Sequence, residues 1–209
     1  MKRFFDIVLS IAGLLVVLPF LPFIAVLIKF DSRGPVFFRQ ERIGKGFRRF
    51  TIYKLRTMQA DADKRGALIT AGGDNRVTKA GFFLRKYKID ELPQLFNVLR
   101  GDMSFVGPRP EVSRYVQLFE KDYRKLLTVR PGITDPASLT YANEEAILGN
   151  ANAFEDVYIN RILPEKIKLS SHYVDNHNLM TDLKLILMTV LRTVHIKTKQ
   201  INSRHGKII

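Results

Sequence analysis

From Ile7 to Ile28 the chain carries no charged side chain, only apolar residues, Ser10, Gly13 and the two prolines Pro19 and Pro22. A run of about 20 apolar residues is the length a membrane-spanning helix needs, and a helix apolar on every side is seldom left in water. The run is too long for a signal peptide, and no small-x-small cleavage site leads into a neutral mature start. Lys2 and Arg3 precede it, and Lys29, Arg33 and Arg39 follow it. An excess of basic residues marks the cytoplasmic side of a membrane segment, so both flanks ask for the same side. Pro19 and Pro22 each lack a backbone donor and each disfavour the helical turn ahead of them. These features predict a re-entrant helix-break-helix that enters and leaves by one face, with a kinked single span as the alternative. Carbonyls freed at the break then need a partner inside the protein, such as Ser10.

Beyond Phe30 the pattern is mixed. Val36 to Arg39 and Phe50 to Leu55 read as short strands, punctuated by Gly34-Pro35 and Gly44-Lys45-Gly46, which predicts a β-hairpin beside the membrane. Asp61 to Asp74 is polar and glycine-rich, a mobile loop after a short helix. Leu92, Leu95, Phe96 and Leu99 follow helical spacing, with Gly101 placed as a C-cap. In the last helix, Leu179 to Lys197, the residues Leu183, Ile186, Leu187, Val190, Leu191 and Val194 form one stripe, with Asp182, Lys184 and Arg192 off it. Core packing and flat association with a membrane both fit that stripe, and a basic tail to Lys207 fits a lipid surface.

Composition narrows the chemistry. With 209 residues the chain is long enough for one domain or one domain plus appendages, and 46% apolar against 26% charged residues excludes wholesale disorder. The absence of cysteine removes disulfides, Cys-zinc sites and thiol catalysis, and the 4 histidines are scattered. Lys and Arg number 34 against 20 Asp and Glu, a net +14 that calls for an anionic partner: nucleic acid, anionic lipid or a phosphorylated small molecule. Nine basic residues against Asp31 and Glu41 put half of that excess, +7, between Lys29 and Met58, interleaved with aromatics. No nucleic-acid fingerprint accompanies the patch, and a membrane segment ahead of it favours lipid headgroups.

Asp90-Glu91 sits just ahead of Pro93, where a helix dipole favours negative charge, and capping alone accounts for such a pair. Its neighbours change the picture. Arg85, Lys86 and Lys88 lie close by in sequence, and Arg109 stands between Pro108 and Pro110, which stiffen its backbone. Rigid arginines suit bidentate phosphate recognition, and a carboxylate among phosphate-binding cations can hold Mg²⁺ or attack phosphorus.

Residues 2 to 130 resemble the catalytic core of the bacterial monotopic phosphoglycosyl transferases, the bacterial sugar transferase family. The resemblance is carried by Lys2-Arg3-Phe4-Phe5-Asp6, Gly34-Pro-Val-Phe-Phe-x-Gln40, Lys54-x-Arg-Thr-Met58 and Arg76-Val-Thr-Lys-x-Gly81. It continues through Leu84-Arg85, Asp90-Glu-Leu-Pro-Gln-Leu-x-Asn-Val-Leu-x-Gly-Asp-Met-Ser104, Val106-Gly-Pro-Arg-Pro110 and Val129-Arg-Pro-Gly-Ile-Thr134.

This resemblance implies an enzyme that transfers sugar 1-phosphate from a UDP-sugar to undecaprenyl phosphate, releasing UMP and starting membrane-associated glycan assembly. It implies Asp90 as the nucleophile that forms an aspartyl-phosphosugar intermediate and as a holder of the required Mg²⁺, with Glu91 assisting the lipid phosphate's attack. Arg85 and Arg109 match phosphate-gripping positions, Lys54 and Arg56 further active-site cations, and Arg130, Gly132 and Thr134 contacts to nucleotide or sugar. The hairpin break falls at Pro19, with Pro22 beside it. The implied fold is an α-rich α+β protein: a re-entrant membrane hairpin over 1–30 and a cytoplasmic, membrane-interfacial catalytic domain over 31–209 with amphipathic helices and a small β-hairpin. Its place is the bacterial inner membrane, its partners are the UDP-sugar, undecaprenyl phosphate and membrane lipids, nucleic acid is not among them, and a homodimer is left open.

Two departures stand out. Leu18 occupies the position ahead of the proline where many relatives carry a small hydroxyl residue. Asp135-Pro136 follows Thr134 where a glycine is usual, so the sugar and the glycan pathway are not carried over. Downstream, Glu144-Glu145 reads either as a contact to a sugar hydroxyl or as a solvated helix start. Three other readings stay open: a catalytically silent member that binds polyprenyl phosphate or sugar nucleotide, a basic nucleic-acid-binding membrane protein, and a structural anchor in a glycan-assembly complex.

Overall fold

A computed structural model describes residues 1–62, 69–149 and 153–205, with side chains as far as residue 193. The apolar run is helical throughout. Helix α1 (Lys2–Val17) passes through a 3₁₀ turn, Leu18–Phe20, into α2 (Leu21–Asp31). Pro19 and Pro22 each sit in the first positions of the turn that follows, where a missing N–H costs nothing. The expected break is therefore a tightened turn, with Leu18 N–H donating to the Leu14 carbonyl and Leu21 N–H to that of Leu18. Ser10 does not serve that turn. It is fully buried, and its hydroxyl has no partner among the described residues.

Both ends of this segment are fastened to the same body. Lys2 donates to the Val106 carbonyl at 2.9 Å and to the Tyr173 hydroxyl at 3.1 Å, and it pairs with Asp182. Arg3 donates to the carbonyls of Val98 at 2.5 Å and Leu99 at 2.8 Å, which a helix end leaves unsatisfied. Asp6 accepts from Ser104 Oγ and Phe105 N–H, both at 3.0 Å. At the far end, Arg56 donates to the carbonyls of Ser32 and Arg33 at 2.7 Å, and Asp31 accepts from Ala80 N–H at 2.8 Å. Gly34 takes φ +127°, and a Cβ there would lie 1.9 Å from Arg56 Nη1. Between these anchors, Leu15, Val16, Phe20 and Phe23 are exposed. The segment is long and apolar enough to cross a membrane.

The expected hairpin forms from longer strands, β1 (Phe37–Ile43) and β2 (Arg49–Leu55), antiparallel with Phe37 opposite Leu55 and Ile43 opposite Arg49. Helix α3 (Lys79–Lys86) packs on α2, and α4 (Gln94–Arg100) packs on α1 and β2. As expected, α4 ends at Gly101, in the left-handed region at φ +92°. A parallel pair that periodicity did not reveal follows: β3 (Ser104–Val106) and β4 (Gly132–Thr134), each only three residues long. Gly132 and Gly107 meet backbone to backbone, and a Cβ on Gly132 would lie 2.1 Å from Gly107 N. Gly132→Ala is expected to cost about 3 kcal/mol, because backbone cannot give way as a side chain can. Gly46→Ala, at φ +62° with nothing within 4 Å, should cost only the roughly 1 kcal/mol of left-handed backbone. Thermal melting of the two variants tests this ordering.

The main core lies among α5 (Ser113–Leu118), α6 (Glu120–Leu126) and α10 (Leu163–Asn176), around Tyr115, Tyr123, Tyr158 and Leu163. Short helices α7 (Pro136–Thr140), α8 (Glu144–Gly149) and α9 (Phe154–Val157) lead into α10 through a π-helical turn, Tyr158–Ile162. Asp135 caps α7, accepting from Ser138 N–H at 2.7 Å, and Pro136 takes the first helical position. The Asp-Pro departure thus starts a helix.

Helix α11 (Leu179–His205) lies against β3 and β4. It buries Asp182 and Leu185, while Leu183, Leu187, Val190 and Leu191 of the apolar stripe are exposed. Most of the stripe therefore faces outward, with Ile186 partly buried against Val106, Tyr173 and Leu185, and Asp182, off the stripe, points inward, where Lys2 and Tyr173 meet it. Leu183 shares a small crevice with Phe5 and Leu9 of α1. The side chains from Val194 onward, Lys197 among them, residues 206–209 with Lys207, and residues 63–68 of the Asp61–Asp74 loop lie outside what is described.

Candidate active site

At the end of α3, Lys88 adopts a left-handed backbone, φ +55°, and turns the chain into a 3₁₀ turn, Ile89–Glu91. The two carboxylates therefore stand on their own turn ahead of α4, both buried. Glu91 Oε1 accepts from Lys54 Nζ on β2 at 2.8 Å and from Arg109 Nη2 at 2.5 Å. Arg109 is held by its prolines. The Pro108 carbonyl accepts from Gly132 N–H at 3.0 Å, and that of Pro110 from Arg42 Nη1 at 3.1 Å. Asp90 has no such partners, and its buried Oδ1 makes no hydrogen bond among the described residues.

These environments drive the neighbours apart. Burial, and then the charge of Glu91, push the Asp90 carboxyl above the usual carboxylate range against the pull of Lys54, Lys88 and Arg85. Burial alone would raise Glu91 too, but Arg109, Lys54 and Lys88 outweigh it and hold that carboxyl well below the range. Burial draws Lys54 down against the attraction of Glu91.

The pair opens on a cleft of about 1900 Å³. Arg85 lines it as well, its Nε donating to Thr57 Oγ1 at 2.9 Å and its Nη1 to Glu145 Oε1 at 3.0 Å. Arg56 touches the wall, but its guanidinium is taken up by the carbonyls at the end of α2, because burial there leaves those carbonyls no water. Thr134 lines the cleft and bonds Thr189 Oγ1 at 2.7 Å. Arg130 is directed to the Gly101 carbonyl at 2.8 Å, and Gly132 is packed against Gly107, so neither is among the lining residues.

Sequence reading missed a second polar wall. Arg42 Nη1 stands 3.5 Å from Glu111 Oε2, Tyr158 Oη donates to Glu111 Oε1 at 2.9 Å, and Lys166 pairs with Glu144 at 2.8 Å. Of these residues only Glu144 was a candidate in the sequence, as a sugar-hydroxyl contact or a helix start, and Glu111 had no signal beyond following Pro110. Among the described residues no three Asp, Glu, His or Cys side chains converge as a metal-binding group. Asp90 lines the cleft and no described residue engages its Oδ1, so its carboxylate is the one left for an incoming cation.

Comparison with known proteins matches residues 1–196 to the family described as bacterial sugar transferase. The chain is 40% identical, over 92% of its length, to the UDP-N-acetylgalactosamine-undecaprenyl-phosphate N-acetylgalactosaminephosphotransferase of Aeromonas hydrophila, of which it spans only 43%. It is 38% identical to the exopolysaccharide production protein PSS of Rhizobium leguminosarum bv. phaseoli, covering 94% of that protein. It is 37% identical to the UDP-glucose:undecaprenyl-phosphate glucose-1-phosphate transferase of Caulobacter vibrioides, covering 68% of that protein.

Proposed function

The chain belongs to the bacterial sugar transferase family, and from that premise we propose that it transfers sugar 1-phosphate from a UDP-sugar to undecaprenyl phosphate and releases UMP. The relatives from Aeromonas and Caulobacter bear that reaction in their names. The observation that carries the reading here is Asp90 itself, which lines a cleft with Lys54, Arg85 and Arg109 and keeps a buried Oδ1 that no described residue hydrogen-bonds.

In the first step an Asp90 carboxylate oxygen attacks the donor's β-phosphorus. The bond from that phosphorus to the oxygen bridging it to the α-phosphate breaks, and UMP leaves with the bridging oxygen. In the second step a phosphate oxygen of the lipid attacks the same phosphorus, and the bond to Asp90 breaks. Phosphoryl transfer of this kind depends on positioning and on neutralising charge. Arg109 and Lys54, held in place by Glu91, supply that charge, with Arg85 across the cleft. Glu91, kept so strongly ionised, acts by fixing the two cations rather than as a strong base. Mg²⁺, when bound, would add charge neutralisation at the diphosphate, and Asp90 Oδ1 fits it, since Mg²⁺ commonly takes one or two carboxylates together with substrate phosphates.

The lipid acceptor requires an interfacial site. The membrane segment is fastened to the body at both ends, which supports re-entry from the cytoplasmic face of the inner membrane, and the outward stripe of α11 beside α1 supports contact with lipid.

The test is UMP release from a panel of UDP-sugars by detergent-solubilised protein with undecaprenyl phosphate and Mg²⁺. One donor is expected to be turned over, with turnover lost on chelation. With acceptor withheld, UMP should appear as a burst of at most one equivalent per protein. UMP release that needs the acceptor in the first turnover would exclude the covalent route, and silence with every donor would exclude the transfer itself.

A further inference from the structure

Around Arg109 the cleft divides by charge. On one side stand the cations that face Asp90 and Glu91. On the other, Arg42 is matched by Glu111 and Lys166 by Glu144, so this wall is neutral overall and dense in hydrogen-bonding groups. Its parts are joined: Tyr158 Oη donates to Glu111 at 2.9 Å and lies 3.5 Å from Lys166 Nζ. Burial, and then Glu111, raise the Tyr158 phenol far above its usual range, so it remains a donor. Arg109, Glu111 and Glu144 line the same cleft, and both carboxylates act on the Arg109 charge, so this wall and the diphosphate grip share one cavity.

Most of the wall is satisfied internally; Arg42 Nε, buried without a partner among the described residues, and Glu144 are the exceptions. The Lys166 side chain is only 8% exposed and holds Glu144 Oε2, whereas the Glu144 side chain is 24% exposed and its Oε1 has no partner among the described residues. A carboxylate braced by a buried ammonium and aimed into a neutral wall next to a diphosphate grip suits a ligand that is uncharged and donates hydroxyl hydrogens. The sugar on the attacked phosphorus is that ligand.

We propose that Glu144, positioned by Lys166, accepts hydrogen bonds from hydroxyl groups of the donor's sugar and so selects among UDP-sugars. This rests on the transfer reading for the identity of the donor. Its test reads binding alone. A hydrogen bond to a charged acceptor corresponds to a factor of about 10 to 100 in affinity.

Equilibrium titrations of full-length protein with UDP, and with the UDP-sugar of the panel that binds most tightly, compare wild type with Glu144→Gln and Glu144→Asp. UDP affinity is expected to stay within about twofold, which also reports an intact site, while affinity for the UDP-sugar falls about 10- to 100-fold in Glu144→Gln. Equal weakening of UDP and UDP-sugar would overturn the proposal, because the carboxylate would then serve the nucleotide or the fold. So would unchanged affinity for both. Should Glu144→Gln fail to fold with Lys166 left unpaired, Glu144→Asp decides: it keeps the ion pair but withdraws the carboxylate by one methylene, and an unaltered preference over the 4-epimeric UDP-sugar would sink the idea. Neither readout needs lipid or turnover, so absence of UMP release leaves this test intact.

Discussion

Asp90→Asn is expected to lower UMP release by about 10³-fold or more, the scale seen when a nucleophile is removed from a unit that acts together, without lowering the melting temperature at neutral pH. The second half follows from burial. A carboxyl whose pKa is raised by folding holds its proton more tightly in the folded chain, so it favours the fold as pH falls and opposes it above the ordinary carboxylate range. At pH 7 wild type carries that penalty, and an amide of the same shape does not. Asp90→Asn should therefore melt at or above wild type at pH 7, the difference narrowing toward acid. Melting scans across pH, beside UMP assays on the same preparations, check both halves. Turnover that survives the substitution, or normal glycan output when Asp90→Asn is the only copy present, would remove Asp90 from the chemistry and leave the anchor reading.

Glu91→Gln, one residue on, should behave in the opposite way. Glu91 ties Lys54 and Arg109 to a single oxygen, and its carboxyl is held well below the usual range. A depressed carboxyl contributes stability above its unfolded pKa and loses it only as pH falls through the folded value. Removing this charge leaves two cations facing each other with no anion between them, at a cost of about 3 kcal/mol, a drop of roughly 6–12 °C in melting temperature for a chain of this size. Turnover should fall about 10²-fold through misplaced cations. Adding Arg109→Met to Glu91→Gln should restore part of the stability and none of the activity. A Glu91→Gln protein as stable as wild type would show that the two cations do not depend on this carboxylate.

Adjacent carboxylates with opposite fates could not be told apart along the chain, because each fate depends on what other segments bring. Lys54 arrives from β2 and Arg109 from the loop after β3, while none of the described residues reaches Asp90 Oδ1. Arg56 shows the converse. Its match to a family motif made it a candidate active-site cation, yet the buried carbonyls at the end of α2 claim its guanidinium. Lys2 and Arg3 read as the flank of a membrane segment, and with Asp6 as part of a family motif; they prove to be the fastening of that segment to β3, α4 and α11.

What the chain determined by itself is what short-range chemistry determines. The apolar run is helical because its length and composition leave no other way to satisfy its backbone away from water. The hairpin follows alternation and glycine punctuation, and the ordered motifs place the chain in its family. Tertiary structure alone decided the rest: the three-residue parallel strands, too short for any periodicity, the outward face of α11, the joining of Glu111, Tyr158 and Lys166 to Glu144 in one wall, and the division of labour between Asp90 and Glu91. Each of these depends on charges and backbone groups distant in sequence meeting where water is excluded, and there the pairing, rather than the residue, sets the energy.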